Sequence, residues 1–317
     1  MIKQQPLFSF VLPAYKAQFL KEAIASILSQ TYQNFELVIV DDASPEDLES
    51  IVSEFNDSRV QYYRNEQNIG GTDLVKQWNH CLTFATGDYV ILAADDDVYD
   101  KEFLAEAERL FKKYPNVPLF RGRTQGIIAD GKIVDMDCKG AEFLSFGDFI
   151  IFERRVIACI GNYIFRATDL KCTGFFNYPL AWWADRATVM EHATRGILIS
   201  EKVVFSFRDS PIHISAQINT SSLEKKIEAT YQYFCWLKEK LKNTIDDSAE
   251  FKFACDIYMR NNHWYFHYLS ALIFMLPIKD LFPLLNKIKK QNMISSWEYK
   301  KLIFFYFNNL LIRKLKG

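Results

Sequence analysis

The chain has 317 residues, of which 49% are hydrophobic and 24% are charged, and its formal net charge is -1. This composition suits a globular enzyme with one large domain or two small ones, and the near-neutral charge gives no reason to expect nucleic acid as a partner. The six cysteines form no C-x-x-C pair and no regular spacing, which argues against a disulfide framework or a zinc site and predicts reduced thiols in a cytoplasmic protein.

Strand and helix patterns alternate over the first hundred residues. Short apolar runs predict strands over residues 7–12, 35–40, 60–63 and 89–92. Helical spacing predicts helices over residues 19–28 and about 72–85, and between them Ser44 is expected to cap a helix whose first residue is Pro45. Strands that alternate with helices predict an α/β protein with a parallel, doubly wound sheet flanked by helices.

The pattern changes after residue 100. A helix is predicted over residues 101–114, and Asp130-Gly131 between two apolar runs predicts a hairpin over residues 125–136. From about residue 221 the pattern is helical to the end. The N-terminal apolar run is too short for a signal peptide, and the longest apolar stretch, residues 264–278, is shorter than the roughly 20 residues that a membrane-spanning helix needs.

The C-terminal region is basic and aromatic. Residues 281–317 contain eight Lys or Arg residues and one acid, Glu298, so their net charge is +7. Apolar and aromatic residues are interleaved with these bases, a pattern typical of a helix that lies in a membrane interface. The alternative is a helical subdomain that packs on the core and exposes a basic face.

Polar or turn-forming residues follow three of the four predicted strands. Pro13-Ala14-Tyr15 follow the first, Asp41-Asp42 the second and Asp95-Asp96-Asp97 the fourth. Ligands of an open parallel sheet bind outside the carboxyl ends of its strands, so several carboxylates are expected to converge there. A bound Mg²⁺ or Mn²⁺ would offset their repulsion. The alternative is that these acids cap the helices that follow them.

The glycine turn Asn68-Ile69-Gly70-Gly71 is less specific. It fits neither the G-x-G-x-x-G pattern of dinucleotide-binding loops nor the P-loop with its Lys and Ser or Thr. This mismatch counts against a nicotinamide-dependent enzyme and against a P-loop nucleotidase.

Two long stretches together resemble the opening of glycosyltransferase family 2, which has the GT-A fold. They are FSFVLPAYKAQFLKEAIASILSQTYQNFELVIVDDASPED and NIGGTDLVKQWNHCLTFATGDYVILAADDDVYDKEFL. Weaker similarity at GFFNYPLAWWADRATVMEHATRGILIS and VVFSFRDSPIHIS extends the resemblance over about residues 6–216. It implies a Rossmann-like, mostly parallel sheet, a nucleotide-sugar-binding half (1–100), an acceptor-binding half (101–216) and a helical C-terminal region (217–317).

The resemblance implies a donor site at the strand ends. Pro13, Tyr15 and Asp42 take the positions that hold the nucleobase and the ribose. The first Asp of the usual D-x-D-D pattern is Ala94 in this chain, so Asp95 is expected to take over the ribose contact.

The diphosphate and the metal are expected beside these residues. Lys76 and Asn79 follow the glycine turn and are expected to face the diphosphate, although both also suit a solvated helix surface. Asp96 is the expected main ligand of Mn²⁺ or Mg²⁺, with Asp97 in support and His213 near the metal.

The acceptor side is implied by the weaker similarity. Asp185 takes the position of the catalytic base, although the acid that often precedes it is Ala184 in this chain, and Asp185 alone would also suit a helix cap. Trp182 and Trp183 are expected to form a sugar platform, with core packing as the alternative, and Arg208 is expected near the acceptor.

The implied activity is inverting transfer of a sugar from a nucleotide-sugar, with UDP favoured over dTDP, to an acceptor hydroxyl. A saccharide or lipid-linked saccharide at the cytoplasmic face of the bacterial inner membrane, used in surface polysaccharide synthesis, is the expected acceptor. The alternatives are a sugar-phosphate nucleotidyltransferase, disfavoured by a first loop without a glycine-rich basic pattern, and a non-catalytic nucleotide-sugar-binding module.

Overall fold

A computed structural model describes residues 5–209, 219–259 and 263–316. The chain forms two compact units. The first comprises Met1–Asn177, Ala184–Pro211 and Asp247–Ala254, and the second comprises Tyr178–Trp183, Ile212–Asp246 and Cys255–Gly317. All six cysteines are free.

The described part of the first unit contains one sheet with helices around it. The strands are β1 (Phe8–Ala14), β2 (Phe35–Asp41), β3 (Val60–Arg64), β4 (Tyr89–Leu92), β5 (Val98–Tyr99), β6 (Leu119–Ile127), β7 (Ile133–Met136), β8 (Phe143–Leu144), β9 (Tyr163–Arg166) and β10 (Ile197–Arg208). The helices are α1 (Leu20–Leu28), α2 (Leu48–Ser53), α3 (Leu74–Leu82), α4 (Phe103–Lys113), α5 (Phe146–Phe152), α6 (Ala167–Thr173) and α7 (Ala184–His192).

The strand order is β3-β2-β1-β4-β9-β6-β10-β5, with β7 paired to β6 and β8 to β10. Strands β1 to β4 pair in parallel, whereas β9 pairs antiparallel with both β4 and β6. The four strands predicted from the apolar runs are therefore confirmed, and so is the α/β architecture. Every residue of β2 is buried, which is typical of a parallel strand covered on both faces.

The core of the first unit is aromatic. Phe10 on β1 lies edge-to-face with Tyr99 and Phe35, at centroid distances of 5.0 and 5.9 Å. Phe103 on α4 and Phe205 on β10 complete this cluster, and both are fully or almost fully buried. Each such side chain contributes roughly 1.5–3 kcal/mol through burial, so this cluster fixes the sheet whose edge carries the site.

One predicted helix start is wrong. Helix α2 begins at Leu48 with Asp47 as its N-cap, and not at Pro45 with Ser44 as its cap. The Ser44 hydroxyl instead donates to the carbonyl of Tyr15, at 2.7 Å. Ala43 before it is left-handed, with φ 51°, so the chain turns once more before the helix starts.

The predicted hairpin is confirmed. Strands β6 and β7 pair antiparallel, and the Gly131 backbone between them is left-handed at φ 83°. A left-handed residue at such a turn favours glycine because a side chain would be strained there.

The described part of the second unit is helical, as predicted for the C-terminal region. It contains α8 (Thr220–Asn243), α10 (His263–Phe274), α11 (Ile278–Lys290) and α12 (Ser296–Lys316), and α9 (Ala249–Met259) contributes its last residues. Asn219 caps α8 through a reciprocal capping box with Ser222. None of the described helices has both the length and the hydrophobicity needed to cross a membrane.

Candidate functional site

The carboxyl ends of three neighbouring parallel strands form one edge of the sheet. β2, β1 and β4 are adjacent in the strand order, and Ala14 at the end of β1 is in register with Asp41 at the end of β2. The chain segments that follow these strands carry the acids singled out from the sequence. The sheet therefore brings Asp42 and the Asp95–Asp97 run to the same edge, as predicted.

Asp95 ties the loop after β4 to the loop after β1. Its Oδ2 atom accepts hydrogen bonds from the backbone N–H groups of Tyr15 and Lys16, at 3.0 and 2.8 Å. Burial raises the pKa of Asp95 and the charge of Asp96 raises it further, while the two N–H donors lower it. The Tyr15 side chain is 40% exposed, and Pro13 before it is half-buried.

Hydrogen bonds of Asp97 and Arg208 join the end of β10 to the Asp95–Asp97 segment after β4. The Asp97 carboxylate accepts the backbone N–H of Arg208 at 2.9 Å, and the Arg208 guanidinium donates to the Asp96 carbonyl at 2.8 Å. The same guanidinium pairs with Glu22 at 2.7 Å and lies 4.1 Å over the Phe19 ring. Because Arg208 is only 1% exposed, this geometry favours a supporting role over the predicted acceptor contact.

Asp97 is also the most deeply buried acid of the run. It is 3% exposed, and burial together with the charges of Asp96 and Asp95 raises its pKa well above the usual value for an aspartate. Asp96 is 7% exposed. Asp96 and Asp97 are buried and Asp95 is half-buried; these consecutive carboxylates repel one another, so their ionised forms are costly without a cation.

Asp42 holds the glycine turn. Its carboxylate accepts hydrogen bonds from the N–H groups of Ile69 at 2.8 Å and Gly70 at 2.6 Å, and from the Asn65 amide at 2.8 Å. A side chain at Gly70 would approach Asp42 to 2.8 Å. Glycine at this position therefore allows the turn to reach the end of β2.

Helix α3 follows that turn and carries Lys76 and Asn79. Lys76 is exposed, in agreement with either predicted role. The Asn79 amide is engaged with the backbone of Phe175, from which it accepts at 2.8 Å and to which it donates at 3.3 Å. Asn79 thus anchors the segment before α7 and is not turned toward the strand ends by any described contact.

Asp185 lies in the first turn of α7 and lines a small cavity with Glu153, Arg186, Cys159 and Tyr163. Burial raises the pKa of Asp185, while the neighbouring Arg186 charge and two backbone hydrogen bonds lower it. A half-buried carboxylate with a raised pKa is a stronger base than an exposed aspartate, which suits proton acceptance.

Trp182 and Trp183 belong to the second unit. Trp183 is 8% exposed, stacks on Tyr233 at 4.7 Å and donates its indole N–H to Thr230 at 2.9 Å, so it is packed in the core of that unit. Trp182 is half-buried, and its indole N–H has no hydrogen-bond partner among the described residues. The structure therefore favours the core alternative for Trp183, whereas the indole nitrogen of Trp182 is buried without a described hydrogen-bond partner.

The backbone before α7 is strained. Leu180, Ala181 and Trp183 all have left-handed backbones, with φ of 60°, 54° and 72°. Each costs of order 1–3 kcal/mol, and such residues cluster at functional sites. No feature of the sequence around these residues indicated this strain.

The chemistry of the acidic edge fits a divalent cation only in part. Within the described residues, no three His, Cys, Asp or Glu side chains converge as a complete metal site. The crowded Asp95–Asp97 run still favours a cation, and Mg²⁺ or Mn²⁺ is usually held by one or two carboxylates together with substrate phosphates. His213, the other predicted ligand, lies outside the described residues.

No sequence pattern indicated Glu153 or Arg186 as a site residue. Glu153 lies in a short turn of helix, Glu153–Arg155, about thirty residues before Asp185 in the chain. Its position beside Asp185 follows only from the folded structure.

The comparisons with known proteins agree with this geometry. Residues 9–154 match the sequence model of the family described as Glycosyl transferase family 2. The chain therefore carries a family 2 glycosyltransferase domain over these residues, and the resemblance seen in the sequence is confirmed.

Curated relatives match part of the chain. It is 35% identical over 116 residues to the putative colanic acid biosynthesis glycosyl transferase WcaA of Escherichia coli K12, a match that covers 34% of this chain and 40% of WcaA. It is 34% identical over 94 residues to the UDP-Glc:alpha-D-GlcNAc-diphosphoundecaprenol beta-1,3-glucosyltransferase WfgD of Escherichia coli, covering 29% of this chain and 36% of WfgD. The matches span well under half of these two relatives.

Solved structures share the fold over nearly the whole chain. S. aureus TarS 1-349 in complex with UDP-GlcNAc superposes with a TM-score of 0.67 at 18% identity, covering 95% of this chain and 92% of TarS 1-349. The mannosyltransferase PcManGT of Pyrobaculum calidifontis, in complex with GDP-Man and Mn²⁺, superposes with a TM-score of 0.56 at 18% identity, covering 97% and 88%. The GT-A fold is therefore confirmed, including a helical C-terminal region.

Proposed function

We propose that the protein is an inverting glycosyltransferase that moves a sugar from a nucleotide-diphosphate sugar to an acceptor hydroxyl. The observation that carries this proposal is the convergence of Asp42 and Asp95–Asp97 at the carboxyl ends of β2 and β4, inside a domain that matches family 2. We assign residues 1–100 to donor binding and 101–216 to acceptor binding.

The donor is proposed to bind at the edge formed by the loops after β1, β2 and β4. The exposed Tyr15 and the half-buried Pro13 would contact the nucleobase, with Asp42 and Asp95 near the ribose and Lys76 near the diphosphate. UDP is the nucleotide proposed, supported by the UDP-GlcNAc bound to TarS.

Asp185 is proposed as the base. The acceptor oxygen forms a bond to the anomeric carbon as the bond from that carbon to the diphosphate oxygen breaks, and the proton of the acceptor hydroxyl passes to the Asp185 carboxylate. Its burial and raised pKa support proton acceptance in this step. Single displacement inverts the anomeric centre.

A divalent metal is proposed at Asp96, with Asp97 in support. When bound, Mn²⁺ or Mg²⁺ would stabilise negative charge on the leaving diphosphate. The repulsion among Asp95, Asp96 and Asp97 supports this assignment, as does the Mn²⁺ bound to PcManGT.

The acceptor is proposed to be a lipid-linked saccharide used in bacterial surface polysaccharide synthesis. The name of WfgD, which includes a diphosphoundecaprenol-linked acceptor, supports this class. Trp182, which is half-buried, is the proposed aromatic contact to a sugar.

Peripheral contact with the cytoplasmic face of the inner membrane is proposed through α12. Trp297, Phe304 and Leu311 on this helix are 65%, 67% and 57% exposed, and the bases of residues 281–317 accompany them. The test is co-sedimentation with vesicles containing phosphatidylglycerol. Wild-type binding that is lost in Phe304→Ser, but kept in the control Ile245→Ser, supports the contact, whereas no binding by the wild type removes it. Ile245 is 99% exposed and lies outside α12.

The activity itself is tested by transfer. Membrane lipid extract that contains undecaprenyl-diphosphate saccharides is incubated with radiolabelled UDP-Glc, UDP-GlcNAc, UDP-Gal or GDP-Man, with and without Mn²⁺. Label that moves into the lipid fraction with one donor supports the proposal. Donor binding without any transfer or nucleotide release would favour the non-catalytic binding module.

A further inference from the structure

Glu153 shares a cavity with the proposed base. It lines the same small cavity as Asp185 and Arg186, and it is 4% exposed. The three groups come from two separate elements, the helical turn Glu153–Arg155 and helix α7. The cavity thus holds two carboxylates and one guanidinium.

The Glu153 carboxylate is held by charge and not by aligned hydrogen bonds. Nη1 of Arg186 lies 2.8 Å from its Oε1 atom. Neither carboxylate oxygen receives a hydrogen bond of acceptable geometry from the described residues. A buried polar group without such a partner costs about 1–3 kcal/mol, and buried ion pairs often contribute little to stability. Stability therefore does not account for an acid at this position.

The other charged and titratable groups near the cavity are engaged elsewhere or titrate outside the neutral range. Arg121 pairs with Asp137 at 2.5 Å. Burial raises the pKa of Tyr163 and of Cys159 well above neutral pH, so both remain uncharged. Arg154 adds a weaker positive charge near Glu153. Arg186 is thus the cation that acts most directly on both Asp185 and Glu153.

We propose that Glu153 is a positioning residue: its carboxylate holds the guanidinium of Arg186 and prevents it from neutralising the carboxylate of Asp185. This inference rests on the proposed role of Asp185 as base. Glu153 acts through Arg186 and need not touch the substrate.

The charges of the three groups give the proposal a distinctive consequence. Burial raises the pKa of Glu153, and the charge of Asp185 raises it further. Because the Arg186 guanidinium pairs with Glu153 at 2.8 Å, loss of Glu153 would leave that guanidinium able to pair with Asp185 and to lower its pKa. Arg186 lowers the pKa of both carboxyl groups. Removal of Glu153 and removal of Arg186 should therefore move the pKa of Asp185 in opposite directions.

The experiment is the pH dependence of UDP release from UDP-GlcNAc and UDP-Glc by the full chain, measured with lipid extract as acceptor. Glu153→Gln should shift the acid limb of the kcat profile to lower pH and reduce kcat by roughly tenfold, with the donor KM unchanged. Arg186→Gln should shift the same limb to higher pH. Glu106→Gln is the matched control, since Glu106 is a buried glutamate paired with Arg109 on α4, and its profile should match that of the wild type.

The outcomes separate this inference from the proposed function. A wild type that releases no UDP contradicts the proposed function and removes this inference with it. An active wild type whose profile superimposes on that of Glu153→Gln overturns the role of Glu153 alone. If Glu153→Gln does not fold, the pH profile of Arg186→Gln is the test. An acid limb shifted to higher pH supports the proposal, and an unshifted acid limb overturns it.

Discussion

The Asp95 carboxylate at the end of β4 accepts a hydrogen bond of 2.8 Å from the backbone N–H of Lys16, in the loop after β1. The same oxygen accepts the N–H of Tyr15. One acid of the Asp95–Asp97 run therefore shapes the loop that is proposed to hold the nucleobase.

Asp95→Ala should lose both stability and donor affinity. The backbone N–H groups of Tyr15 and Lys16 lose their acceptor, which costs about 1–2 kcal/mol in the free energy of unfolding. Urea denaturation and titration with UDP measure the two effects. Glu66→Ala is the control, because Glu66 is exposed and should change stability by less than about 0.5 kcal/mol. Unchanged UDP affinity in a folded Asp95→Ala variant would mean that neither Asp95 nor the loop that it holds after β1 contributes to UDP binding.

Asp97→Asn should become increasingly more stable than the wild type as pH rises, in the absence of divalent metal. The pKa of Asp97 is raised by burial above the ordinary 3.8, so the folded state holds a proton that the unfolded state releases. The wild type therefore loses stability as pH rises from 3.8 to the raised pKa, by at most about 1.4 kcal/mol per pH unit. Urea denaturation in EDTA at several pH values measures the difference, and a pH-independent difference would argue against the buried acid.

Arg208→Met should destabilise the first unit by about 1–3 kcal/mol, since buried carbonyls lose their donor while Glu22 is left largely in solvent. The variant leaves the Asp96, Ile128 and Ala129 carbonyls without their guanidinium donor. Lys21→Met is the matched control, since the Lys21–Glu54 pair is exposed on both sides and such pairs contribute about 0–1 kcal/mol. If the two variants lose similar amounts of unfolding free energy, the buried contacts of Arg208 do not stabilise the first unit more than an exposed ion pair does.

Asp185→Asn should abolish transfer while donor binding survives. Loss of a positioned base costs roughly 10²–10⁴ in rate, and Asp185 has no described contact with the strand ends at which we propose that the donor binds. Single-turnover transfer and UDP titration are the two readouts. Near-normal turnover would remove Asp185 from the mechanism.

Patterns within short stretches of sequence predicted the elements whose formation depends mainly on neighbouring residues. The four parallel strands follow from buried apolar runs, and the hairpin follows from Asp130-Gly131. The start of α2 was mispredicted because the chain makes a further turn first. Ala43 is left-handed, and the Ser44 oxygen accepts the N–H of Glu46 within that turn while its hydroxyl donates to Tyr15, twenty-nine residues away.

The candidate site was likewise predicted only in part. Asp42 and Asp95–Asp97 were found because strand ends meet at one edge of a parallel sheet. Glu153 was not, because its relation to Asp185 depends on how distant elements pack. The sequence pattern indicated Arg208 as an acceptor contact. In the structure its buried guanidinium instead binds Glu22 and the carbonyl of Asp96.

The central claim is tested most directly by a thermal-shift panel of UDP, dTDP, GDP, UDP-Glc and UDP-GlcNAc, each with and without Mn²⁺, on the wild type and on Asp96→Ala. A ligand that binds only the folded state raises the melting temperature by mass action. We expect a Mn²⁺-dependent rise with the uridine nucleotides in the wild type and its loss in Asp96→Ala. No rise with any nucleotide, or an equal rise in Asp96→Ala, would contradict a metal-assisted donor site at the ends of β1, β2 and β4.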